Sequence, residues 1–66
     1  MTDAQIAFLT DLEAYAQSEL RPHGRYCRNK TGLFRFQGED VYFRRLSADL
    51  VALTVWGERY ELPLVD

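Results

Sequence analysis

The fold is decided by alternation of apolar and polar residues about a glycine, which is clearest in residues 33–44, LFRFQGEDVYFR. Residues 50–64, LVALTVWGERYELPL, repeat the pattern about a second Gly-Glu pair. A period of two indicates strands with one buried face, and a glycine between two such runs indicates a hairpin turn. The two stretches therefore predict two antiparallel hairpins.

The place of each glycine sets the expected pairing. Glycine first in a two-residue loop suits a type II′ turn, because that position requires positive φ. We therefore predict loops at Gly38-Glu39 and Gly57-Glu58. A slip of one residue would mix the two faces of a strand, so the clean separation of apolar residues supports this register. The predicted inward pairs are Phe34 with Phe43, Phe36 with Val41, Val51 with Leu64, Leu53 with Leu62, and Val55 with Tyr60.

The chain before the hairpins predicts a helix. Thr2 to Gln5 has the form of a capping box, and residues 3–20 contain neither glycine nor proline. Pro22 and Gly24 follow and end the helical pattern. We predict an amphipathic helix at about 3–20. Its apolar stripe comprises Ile6, Leu9, Leu12, Ala16 and Leu20, widened by Phe8 and Tyr15.

Together these elements predict an α+β fold, with one N-terminal amphipathic helix packed on an antiparallel β-meander of four to five strands. Residues 25–29 read as a further strand, joined to the first hairpin through the turn-forming stretch 29–32. The whole chain, residues 1–66, is expected to be a single domain. The predicted strands are 25–29, 33–37, 41–46, 50–56 and 59–64.

Composition favours one kind of cellular compartment. Cys27 is the only cysteine among 66 residues, so the sequence predicts no internal disulfide and favours a reducing compartment. The start of the chain lacks the basic and apolar regions of a signal peptide, and no apolar stretch has the length of a membrane span. We therefore expect a cytoplasmic protein.

The sequence offers little that could support catalysis. His23 and Cys27 are four residues apart, but a zinc site needs three or four ligands, and a nucleophile needs an orienting group. The acidic pair Glu39-Asp40 falls in a predicted turn, where a carboxyl lacks the burial that raises its pKa. The isolated glycines form no phosphate-binding loop. We expect no enzyme activity, no metal and no cofactor.

The outer face of the predicted sheet is the first candidate binding surface. Its aromatic and arginine-rich composition is typical of protein–protein hot spots, and it could also stack bases of single-stranded RNA. Cross-strand pairs of this kind also stabilise sheets that bind nothing. The candidate residues are Tyr26, Arg28, Arg35, Tyr42, Arg44, Trp56 and Arg59, beside Leu33 and Leu46.

The helix supplies a second candidate surface. Residues 1–20 contain acids and no Lys or Arg, whereas residues 21–38 contain five basic residues and no acid. An acidic ridge could engage a basic groove that normally holds nucleic acid. The net charge of −2 and pI of about 5.2 speak against broad nucleic-acid affinity for the whole chain. The predicted ridge comprises Asp3 and Asp11, with Glu13 and Glu19 at the margins of the apolar stripe.

These observations favour a non-catalytic protein that binds a partner protein and masks its surface. In size and in its absence of catalytic motifs, the chain resembles the small inhibitors of bacterial host systems from phages and mobile elements, anti-CRISPR proteins among them. The resemblance implies steric blocking, or mimicry of nucleic acid by the acidic surface on a basic assembly. Two alternatives stay open: a nucleic-acid-binding module that uses the basic and aromatic sheet face, and a homodimer that buries this face.

Overall fold

The computed structural model describes residues 1–21, 24–26 and 29–64. One helix precedes four strands, which form a single antiparallel sheet in the order β1-β2-β3-β4. The α+β class is therefore confirmed, with four strands in the sheet. The elements are α1 (Asp3–Glu19), β1 (Thr31–Phe36), β2 (Glu39–Ser47), β3 (Leu50–Val55) and β4 (Glu58–Pro63).

The helix α1 begins at the predicted capping box. The Thr2 hydroxyl accepts a hydrogen bond from the Gln5 amide at 3.2 Å, and the Gln5 side-chain oxygen accepts one from the Thr2 amide at 2.9 Å. These bonds satisfy backbone donors that the first turn of a helix cannot satisfy internally. The start of the helix is thus fixed by local sequence.

The buried residues of this segment lie in a single row at every fourth position, namely Phe8, Leu12, Ala16 and Leu20. The prediction that Ile6 belongs to the buried stripe is wrong, since its side chain is 51% exposed. Two residues turn a helix by about 200°, so burial of Phe8 directs Ile6 towards solvent.

Both hairpin turns lie one residue earlier than predicted. The loops are Gln37-Gly38 and Trp56-Gly57, so that Phe36 pairs with Glu39 and Val55 with Glu58. All four loop residues have positive φ, between 51° and 83°, as a type I′ turn requires. This turn matches the right-handed twist of the strands, and it places glycine second.

The earlier turns change every cross-strand partner and leave the faces unchanged. Phe34 pairs with Val41, not with Phe43, and Leu53 pairs with Tyr60, not with Leu62. The predicted pairs are therefore wrong by two residues. Because side chains alternate with a period of two, a shift of two keeps the same residues inward. Phe34, Val41, Phe43, Leu53 and Leu62 are all buried, as predicted.

We expect Gly38→Ala and Gly57→Ala each to lower the free energy of unfolding by about 1 kcal/mol, because a side chain is disfavoured at positive φ. The values of φ are 83° and 76°, and a Cβ at either position would contact nothing within 4 Å. The cost would therefore be conformational, and asparagine should restore part of it. Urea titration measures the change. Alanine variants as stable as the wild type would contradict the turn assignment.

The predicted strand at 25–29 does not form in the described residues. Arg25 and Tyr26 lie in a turn, and the Asn29 amide donates to the Tyr26 carbonyl at 3.1 Å. Cys27 and Arg28, with the predicted pairing of Cys27 to Phe34, lie outside the described residues. The turn predicted at 29–32 is also shorter than expected, because β1 already begins at Thr31.

The core lies between α1 and one face of the sheet. An aromatic cluster fills the side near β1, where the Tyr15 ring lies 5.3 Å from Phe34 and 5.0 Å from Phe36 between centroids. Burial raises the pKa of the Tyr15 hydroxyl above its ordinary value of 10.0, and the neighbouring Tyr26 raises it further. The core residues are Phe8, Leu12, Ala16, Leu20, Phe34, Val41, Phe43, Val51, Leu53, Val55, Leu62 and Leu64.

Arg45 joins the end of the helical segment to β2. Its Nη2 donates to the carbonyls of Leu20 at 2.8 Å and Tyr26 at 3.2 Å, and its Nε donates to Asn29 at 3.3 Å. The last turn of α1 contains no basic residue. Arg45 thus supplies from the sheet the positive charge that the carboxyl end of a helix favours.

Candidate functional site

One face of the sheet is left without a covering layer. Val41 and Phe43 point into the core beneath α1, so alternation directs Tyr42 and Arg44 to the opposite side. No described element of residues 1–21, 24–26 or 29–64 packs on that side. We call it the uncovered face and define it by Leu33, Arg35, Asp40, Tyr42, Arg44, Thr54, Arg59 and Glu61.

Strand pairing gives the uncovered face an apolar centre beside basic groups. Leu33 pairs with Tyr42, which in turn pairs with Thr54 on β3. Leu33 is 65% exposed and Tyr42 is 48% exposed. Arg35 and Arg44 lie two residues along the same strands and on the same face, with Asp40 opposite Arg35. Such a composition is enriched at the centre of protein interfaces.

The arginines of the uncovered face differ in their hydrogen bonds and ion pairs within the protein. Arg59 forms an ion pair with Glu61 at 3.2 Å, and Arg35 donates to the Gly38 carbonyl at 3.4 Å. Arg44 makes no hydrogen bond or ion pair with any described residue. The Arg44 guanidinium is therefore the most available charged group on the face for an external acceptor.

Two predicted residues of this surface lie on the other side of the sheet. The Tyr26 ring stacks on Phe34 at 5.6 Å and lies 5.4 Å from Phe43, so it packs against the core. The Trp56 ring lies 4.8 Å from Phe8 of the helix. Both residues lie in turns, where strand alternation no longer sets the direction of a side chain. Arg28 lies outside the described residues.

The acidic residues of the helix do not form one ridge. Asp11 accepts from the Gln37 side chain at 3.0 Å, beside the β1–β2 turn, whereas Glu13 lines a small cleft next to β4. Glu19 accepts from the Arg25 amide at 3.2 Å and so belongs to the end of the helix. Asp3 is exposed in the first turn. The predicted ridge is thus distributed over separate sides of α1.

Two clefts flank the helix. The smaller is apolar and lies between Leu9 and Tyr60, and an open groove runs between Gln5 and Trp56. Neither cleft contains a constellation of catalytic groups in the described part of the chain. Among these residues no group of three or more His, Cys, Asp or Glu side chains could hold a metal ion; His23 lies outside them.

Sequence reasoning assigned no role to Arg45. Its signal was the apolar alternation itself, because Val41, Phe43 and residue 45 share the inward face of β2. In the described part of the chain, no helix has the length and apolarity needed to cross a bilayer. Neither a family model, nor a curated protein, nor a solved structure matches the chain.

Proposed function

We propose that the protein is non-catalytic and binds a partner protein through the uncovered face, so that the partner's own binding surface is masked. The observation that supports this proposal is the exposure of Leu33 and Tyr42 at the centre of a sheet face on which no described element packs. Burial of apolar surface contributes a favourable free energy of about 25 cal/mol per Å² of area removed from water. A partner that covers this pair would therefore gain affinity from it.

The position of the aromatic rings favours a protein partner over single-stranded nucleic acid. With Tyr26 and Trp56 packed on the helix side, Tyr42 is the single aromatic ring of the uncovered face. A base-stacking platform uses several such rings beside a strongly positive groove. The net charge of −2 gives no such excess.

Masking is the mode of action that suits a small domain of this kind. An inhibitor of a bacterial host system, of the class found in phages and mobile elements and including anti-CRISPR proteins, would act in the cytoplasm by covering a partner. The acidic residues Asp3 and Glu13 lie away from the uncovered face. They would add favourable long-range attraction if that partner is a basic nucleic-acid-binding assembly.

The proposal is tested by placing a photo-crosslinking amino acid at Tyr42 and, as a matched control, at Ser18, which is exposed on α1. A bacterial lysate supplies candidate partners, and mass spectrometry identifies the protein captured from position 42 alone. We expect its affinity to fall by about tenfold or more in Tyr42→Ala and Arg44→Glu. The Ser18→Ala variant should bind as the wild type does.

Two results would contradict this function. Tight binding of single-stranded RNA that weakens steeply with salt and depends on Tyr42 would assign the face to nucleic acid. A stable dimer in light scattering that dissociates in Tyr42→Ala would assign it to a second copy of the chain.

A further inference from the structure

The two edge strands of the sheet differ in how well they are protected against pairing with a further strand. The edge strand β4 contains three charged residues and Pro63, whose carbonyl accepts from the Gln17 side chain at 2.6 Å. The other edge strand, β1, has the sequence TGLFRF, with one charged residue and no proline. Charges and prolines are the usual means by which proteins prevent an edge from pairing with another strand. The β1 edge has only this one charge to prevent such pairing.

The backbone groups that β1 offers to solvent follow from the ladder. The Arg45 amide donates to the Lys30 carbonyl at 2.6 Å, which shows that residue 30 faces β2. In an antiparallel ladder this orientation alternates. The amides and carbonyls of Thr31, Leu33 and Arg35 therefore point away from β2. No hydrogen bond outside the ladder joins the Leu33 or Arg35 backbone to a described residue.

We propose that the β1 edge receives an extended segment of the partner protein, in which acidic and apolar residues alternate. The inference rests on the proposed function and names the partner's contacting element. Main-chain hydrogen bonds to Leu33 and Arg35 would supply affinity, as in strand addition to an exposed sheet edge. The side chains of the added strand would alternate beside those of β1.

The charged residues around the β1 edge indicate which residues the added segment should contain. Residues 29–36 contain Lys30 and Arg35 and no acid. On the adjacent strand Arg44 lies opposite Thr31 and Asp40 lies opposite Arg35, so the uncovered face near this edge has two cations and one acid. Carboxylates of the added strand that lie on the uncovered face would meet Arg35 and Arg44. Its apolar residues would alternate to the helix side and lie beside Phe34 and Phe36. An added strand with Lys or Arg in these places would be repelled.

A labelled peptide of alternating glutamate and valine serves as the probe, with fluorescence anisotropy as the readout. We expect it to bind the wild-type protein, and we expect an alternating lysine and valine peptide to bind at least about tenfold more weakly. N-methylation of the glutamate–valine peptide on its ladder-facing amides should abolish binding. Amide hydrogen exchange at Leu33 and Arg35 should slow when the unmodified peptide is added.

Leu33→Pro is the decisive variant, because the amide it removes points to solvent and proline is tolerated on such an edge. We expect Leu33→Pro to lower the affinity for the glutamate–valine peptide by about tenfold or more. The matched variant Leu33→Thr keeps the amide, and its affinity should stay within about threefold of the wild-type value. Equal binding of the N-methylated peptide would overturn the inference, and this measurement needs no variant to fold.

The failure of this inference is distinguishable from failure of the proposed function. If Tyr42→Ala loses the captured partner while Leu33→Pro binds it as tightly as the matched Leu33→Thr does, strand addition is wrong and binding by the face stands. If the protein alone is a dimer that Leu33→Pro dissociates, the edge is occupied by a second copy and the inference is overturned.

Discussion

Replacing Arg45 by alanine is expected to lower the free energy of unfolding by about 3 kcal/mol, because three carbonyl groups lose a charged donor. The acceptors are Leu20, Tyr26 and Asn29, at 2.8 to 3.3 Å from the guanidinium nitrogens. Two of the three bonds are partly buried, so water replaces them incompletely. This effect would be a large share of the stability of a 66-residue domain.

The matched control is Arg44→Ala. The two residues are adjacent in β2, and Arg44 is exposed on the uncovered face without a partner among the described residues. We expect Arg44→Ala to change stability by less than about 0.5 kcal/mol. Arg45→Lys should fall between the two, since an ammonium group keeps the charge but lacks the planar fork of the guanidinium.

Urea titration followed by far-ultraviolet circular dichroism measures all three variants. Equal midpoints for the two alanine variants would show that the Arg45 bonds add nothing to stability. The proposed partner should in turn bind Arg45→Lys normally, because Arg45 points to the helix side of the sheet.

The faces of the strands could be predicted from sequence, whereas the partners across the strands could not. Face assignment depends only on a period of two, which Phe34, Val41 and Phe43 display directly. Pairing depends on the turn type, and positive φ at Gln37 and Trp56 is unusual for such residues. The alternation also gave no sign of the error in pairing, because a register shift of two residues leaves every side chain on the same face of the sheet.

The segment that joins the helix to the sheet could not be predicted, because contacts distant in sequence determine it. Tyr26 packs on Phe34 and Phe43, and its carbonyl accepts from Arg45. None of these partners is local, so alternation within 25–29 indicated a strand that the described residues of this stretch do not form. The same reason explains why Tyr26 was assigned to the wrong side of the sheet.

The candidate site was predictable where it lies on regular strands. Leu33, Tyr42 and Arg44 follow the alternation and are exposed together. Trp56 is a turn residue, and its packing on Phe8 could not be inferred from strand periodicity. The acidic residues of α1 are separated for a different reason, because successive residues of a helix are rotated by about 100° about its axis. Asp11 and Glu13 therefore reach opposite sides of α1.

Gly24→Ala is expected to destabilise the protein by about 2 to 3 kcal/mol, because no space exists for a methyl group. A Cβ on Gly24 would overlap the carbonyl group of Glu19. The obstacle is helix backbone, which cannot rotate away as a side chain can. The Gly24 amide also donates to Arg21 at 2.9 Å, and the Tyr26 amide to Glu19 at 2.9 Å, so displacement would strain both bonds.

Gly38→Ala is the comparison that separates this steric cost from a conformational one, since a Cβ there would meet no atom within 4 Å. We expect Gly24→Ala to be the more damaging of the two in urea titration, and the reverse order would contradict the close approach. Gly24→Ala should also be non-additive with Arg45→Lys, since both changes release the same segment. The second change would then cost less in the presence of the first, because the bonds it removes would already be broken.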